Sequence, residues 1–84
     1  MTHLIFHSCD SNMLDIARNL DLTIWDCKVD IWADRLHMTF NRKVRLDFDE
    51  DGDLILKPSH DQYGQEYWLI DAGSYSELDI MIEK

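Results

Sequence analysis

From Val44 to Asp49 apolar and polar residues alternate, break at Glu50-Asp51-Gly52, and resume in step at Asp53. A period of two puts successive side chains on opposite faces of a strand, so the stretch predicts a hairpin. Let Glu50-Asp51-Gly52 be a three-residue loop with Gly52 left-handed. Asp49 then faces Asp53, Phe48 faces Leu54, Leu46 faces Leu56 and Val44 faces Pro58. Each apolar residue on that face meets an apolar partner, and Ile55 alone falls on the other.

The same residues open like a calcium loop. With Asp47 at position 1, Asp49 stands at 3, Asp51 at 5, Gly52 at 6 and Leu54 at 8. Position 12 should supply a bidentate Glu, and Pro58 stands there. The approach, "KVRLDF", also alternates as a strand rather than a helix. The turn explains more of the stretch, and no metal is expected.

Other segments carry their own periods. "THLIFHS" reads as a first strand with Leu4 and Phe6 on one face. Met13, Ile16, Ala17 and Leu20 then recur at helical spacing, with Ser11 or Asn12 as cap and Asp15 in the first turn. Leu36, Met38 and Phe40 form another alternating run, and "NRK" suits a hairpin loop leading to Val44. "EYWLID" and "ELDIMIEK" read as later strands joined through "GSYS". Residues 23 to 35 fit two patterns. As a strand they turn Trp25, Cys27, Val29, Ile31 and Ala33 inward, and Asp26, Lys28, Asp30, Trp32 and Asp34 outward. As a helix they stack Trp25, Val29, Trp32 and Leu36 in one stripe, with Thr23 and Asp26 as a capping box. Their β-branched and aromatic content favours the strand. The expected architecture is α+β: one short helix packed on a mainly antiparallel sheet of four to six strands.

Eighty-four residues, 45% of them apolar, suffice for one compact domain spanning 1–84 and no more. The longest apolar run, Tyr67 to Ile70, falls far short of the ~20 residues a membrane span needs. The N-terminal "MTHLIFHSCD" lacks a signal peptide's basic start and apolar stretch, so a cytoplasmic location with Cys9 and Cys27 reduced is expected. Seventeen acids against eight bases leave a charge of −9. Such a surface repels nucleic acid and anionic lipid, and it attracts basic proteins.

Chemistry-bearing motifs are sparse. His7-x-Cys9 could join Cys27, His37 and His60 around zinc, but no second close pair exists. A Cys9 nucleophile with His37 as base has no spacing to support it. Neither a phosphate loop nor a nucleophile elbow occurs, and the chain is expected to be neither an enzyme nor a cofactor carrier. Arg42, Lys43 and Arg45 give one hairpin end a local positive charge.

What stands out is acid beside aromatic. Asp47, Asp49, Glu50, Asp51 and Asp53 crowd one turn, where carboxylates can take the positions of phosphates. Asp30, Trp32 and Asp34 form a second patch, with Trp32 as an interface anchor. Tyr67 and Trp68 must face opposite sides of their strand. The expectation is an inhibitor that covers the basic surface of a nuclease or nucleic-acid-binding complex. In size and charge alone it is similar to phage anti-defence proteins, anti-CRISPR proteins among them, and to immunity proteins of nuclease toxins. The alternative is a non-catalytic subunit or adaptor using a sheet edge or an aromatic face.

Overall fold

The computed structural model describes residues 1–20, 26–41, 44–58 and 67–82. These residues form one α-helix and seven strands in two antiparallel sheets. In chain order these are β1 (Thr2–His7), α1 (Ser11–Asn19), β2 (Cys27–Trp32), β3 (Arg35–Phe40), β4 (Val44–Phe48), β5 (Leu54–Pro58), β6 (Trp68–Ile70) and β7 (Glu77–Ile82). A 3-10 turn, Ala72–Ser74, separates the last two strands. The larger sheet runs β2-β3-β1-β7, and the smaller runs β4-β5-β6. The α+β class holds, but two sheets replace the single sheet expected.

Each sheet buries one face, as alternation requires. In the larger sheet the inward rows are Cys27–Phe40–Thr2–Ile82, Val29–Met38–Leu4–Ile80 and Ile31–Leu36–Phe6–Leu78. In the smaller, Leu54, Leu56, Trp68 and Ile70 point inward, and both sets join one core with Met13, Leu14 and Ala17 of α1. Thr2 is the polar intruder: its side chain is fully buried and its hydroxyl has no hydrogen-bond partner. Thr2→Val keeps the shape and deletes the orphan, so it should stabilise the fold by about 1 kcal/mol. A higher urea midpoint at unchanged slope would show it.

The hairpin register is as the alternation predicts: Val44↔Pro58, Leu46↔Leu56 and Phe48↔Leu54, with Gly52 at φ 83°. Residues 27 to 32 are strand, with Cys27 buried and Lys28, Asp30 and Trp32 outward. Ala33 and Asp34 are not part of it. They form the two-residue turn between β2 and β3, Trp32 pairs with Arg35, and Ala33 takes φ 54°.

Other expectations need correction. β3 and β4 are not the hairpin expected on either side of "NRK", because β3 pairs with β1 and β2 whereas β4 pairs with β5 in the other sheet. "GSYS" likewise carries the chain between sheets, since β6 joins β5 and β7 joins β1. The helix cap is Asp10, whose carboxylate accepts from the Met13 amide at 2.8 Å, rather than Ser11 or Asn12. Asp15 lies beyond the first turn and pairs with Arg18. Leu14 is buried, while Ile16 and Leu20 are each 39% exposed, so the inward stripe is rotated from the one expected. No described helix is long and apolar enough to cross a membrane.

Candidate protein-binding surface

The two sheets bring their acidic turns to the same end of the molecule, and backbone hydrogen bonds lock that end together. Cys9 N–H donates to the Asp34 carbonyl at 2.8 Å, and Asp10 N–H donates to the Ser74 carbonyl at 2.9 Å. Ser74 N–H closes the 3-10 turn on the Asp71 carbonyl at 3.0 Å. At the start of that turn, Ala72 N–H donates to the Asp53 carboxylate at 2.9 Å. Gly52 N–H bonds to the Asp49 carbonyl at 3.1 Å. One bonded path thus runs from Asp34 through Asp10 and Asp71 to the Gly52 turn.

Among the residues on that path, Asp34, Asp10, Asp71, Glu50 and Asp51 are exposed. Their field reaches inward. Burial raises the Cys9 thiol above its usual pKa, a backbone hydrogen bond from Leu36 opposes it, and Asp34 and Asp10 push it further up. Burial, then the charge of Asp53, raises Tyr75 as well. A carboxylate-rich end of this kind attracts Lys and Arg from a partner.

The carboxylates of the turn divide their labour. Asp49 Oδ1 accepts from the amides of Asp51 at 3.0 Å and Asp53 at 2.9 Å, so it builds the turn. Asp53 holds the 3-10 turn in place. Glu50 and Asp51 project outward, as the residues free to meet a partner. Asp47 stands apart from them. It lies on β4 facing outward, ion-paired with Lys57 at 3.1 Å and Arg45 at 3.7 Å. Asp49→Ala should therefore cost about 1–2 kcal/mol by stranding two amides. Asp51→Ala should change stability by less than about 0.5 kcal/mol. Urea unfolding of the two variants side by side tests the assignment.

Asp49, Asp51 and Asp53 also bring carboxylate oxygens within 4.8 Å of one another. The turn's own hydrogen bonds account for that proximity. Pro58, where a calcium loop would place its closing Glu, is paired with Val44 inside the hairpin.

The second predicted patch is divided. Asp30 and Trp32 share the outer face of β2, and Trp32 is 68% exposed, which settles against a core position. Its cross-strand neighbour is Arg35. Asp34 sits in the turn and belongs with the acidic end. Tyr67 is exposed and Trp68 buried, on opposite sides as expected.

Of the zinc candidates, Cys9 and Cys27 are free and buried. Cys9 Sγ donates to the Phe6 carbonyl, and His7 Nε2 lies 2.8 Å from Asp79. His60, Arg42 and Lys43 lie outside the described residues. What sequence reasoning missed is Asp10 as a member of the acidic end; its position three residues before Met13, at a helix start, was the available signal. Comparison with protein-family models, with curated proteins and with solved structures gives no match.

Proposed function

We propose that this chain is a small acidic inhibitor that docks on the basic surface of a nucleic-acid-binding enzyme or complex and occludes it, its carboxylates standing in for phosphates. The observation that carries the reading is the bonded acidic end, where Glu50 and Asp51 project from one sheet's turn and Asp34 from the other's. A groove built for a polyanion is lined with Lys and Arg, and a rigid array of carboxylates on a chain of net −9 complements it. Binding of this kind is steered by charge and weakens with salt.

The test is capture of partners from host lysate with the tagged chain, followed by affinity measurement at low and high salt. A nuclease or other nucleic-acid-binding protein should be recovered, with affinity falling at least about tenfold as salt rises. Reversing both exposed tip charges, in a Glu50→Lys/Asp51→Lys variant, should abolish binding and inhibition while the fold persists. Recovery of neutral metabolic enzymes alone, or binding indifferent to salt and to the variant, overturns the reading.

The exposure of Trp32 and Tyr67 favours a second reading, an adaptor or non-catalytic subunit that contacts its partner through an aromatic face. That reading predicts loss of binding on Trp32→Ala with little dependence on salt.

A further inference from the structure

The four edges of the two sheets are guarded unequally. β2 sets Lys28 and Asp30 along its outer face, β4 sets Arg45 and Asp47, and β6 is only three residues long. Charge and brevity are common defences against a stray strand. β7 also carries two outward charges, Glu77 and Asp79, but it ends in Ile80-Met81-Ile82, residues that are 45%, 47% and 60% exposed. One side of β7 is bonded to β1 along its whole length, from Thr2↔Ile82 to His7↔Glu77, and no described strand takes the other.

The alternation of β7 specifies what would fit. Leu78, Ile80 and Ile82 extend the core rows of Phe6, Leu4 and Thr2, so they stand where the next strand's inward side chains would cover them. Glu77 and Asp79 point to the outer face with Met81. The edge is apolar on its inner side and acidic on its outer side.

We propose that the edge of β7 left open by the described strands accepts an extended segment of a basic partner protein as a fifth strand of the larger sheet. The segment places apolar side chains over Leu78, Ile80 and Ile82, and Lys or Arg opposite Glu77 and beside Asp79, which already holds His7 Nε2 at 2.8 Å. Main-chain hydrogen bonds supply affinity in such strand addition, and alternate side chains supply specificity. Charge decides against a second copy as the occupant. Self-pairing would double Glu77 and Asp79 along one seam, offer no described base on β7 to offset them, and join two chains of −9 each. The inference rests on the reading of a basic partner, but on a surface other than the acidic end.

The test titrates the intact chain with a synthetic peptide of alternating Lys and Val, and with its Glu–Val counterpart, followed by amide NMR and hydrogen exchange. The Lys–Val peptide should shift and protect the amides of β7, and the Glu–Val peptide should bind at least about tenfold more weakly. Ile80→Lys should weaken the Lys–Val peptide about tenfold by charging the covered row. Ile82→Lys, at a still more exposed position, gives the same readout if Ile80→Lys fails to fold. Equal binding of the two peptides overturns the proposal, as do shifts centred on β2, β4 or the Gly52 turn. So does a concentration-dependent dimer lost in Ile80→Lys, which would give the edge to a second copy. If no peptide engages β7 while Glu50→Lys/Asp51→Lys still abolishes partner binding, this inference alone fails. If the peptide engages β7 while that variant binds its partner normally, the acidic-end reading alone fails.

Discussion

Phe6→Ala is expected to leave much of the chain unfolded at physiological temperature. Phe6 has no exposed surface and lies in the row Ile31–Leu36–Phe6–Leu78, which crosses all four strands of the larger sheet. Its ring also meets Tyr75 edge-on, with centroids 5.0 Å apart and planes at 78°. Truncating a buried Phe to Ala costs about 3–5 kcal/mol, through lost transfer energy and the cavity left behind. Small domains hold only about 5–15 kcal/mol in total, and one of 84 residues belongs toward the lower part of that range. One substitution therefore removes a large share of the stability. Urea unfolding of Phe6→Ala and Phe6→Leu beside the parent measures this, with Leu recovering much of the loss. A Phe6→Ala variant of parental stability would mean that the ring does not hold the sheet.

The second large effect is alkaline destabilisation through Cys27. Its thiol is buried at the start of β2, opposite Phe40, and desolvation pushes its pKa from 9.0 to about 12 against a lesser lowering from a backbone hydrogen bond from Thr39. The charged form is the thiolate, so burial penalises deprotonation. Below pH 9 the thiol is protonated in both folded and unfolded chains and contributes no slope. Between pH 9 and about 12 the unfolded chain loses this proton and the native chain keeps it. Stability should then fall with rising pH by about 1.4 kcal/mol per unit from this group alone. Cys9, also raised by burial, adds in the same direction. Urea midpoints from pH 8 to 11 should drop more steeply for the parent than for Cys27→Ala, because only the parent carries the group. Identical slopes would show that the thiol titrates as if exposed.

Legibility in the sequence followed the range of the forces involved. The Gly52 hairpin was readable to the residue because two local signals agree there: alternation on both arms, and a glycine where the loop needs positive φ. That register already places Lys57 diagonal to Asp47, so their ion pair could also be read from it. "NRK" misleads because a short polar gap between two alternating runs looks alike whether the second run folds back or departs to another sheet. A period of two tells a strand which faces it has, not which neighbour it takes. Asp10, Ser11 and Asn12 are all good caps, and only the reach of Asp10 to the Met13 amide separates them. The acidic tip was legible as composition. Its union with Asp10, Asp34 and Asp71 was not, because it is made by two backbone hydrogen bonds and one from Ala72 N–H to the Asp53 carboxylate, all between distant segments.

The position of β1 between β3 and β7 also governs assembly in time. β1 cannot be enclosed between its two neighbours until β7 arrives, since Thr2 is registered with Ile82. Until then β1 and β3 can pair with one flank of β1 bare. Loop closure over such a separation is slow beside helix formation, so collapse should come early and the search of β7 for β1 should limit the rate.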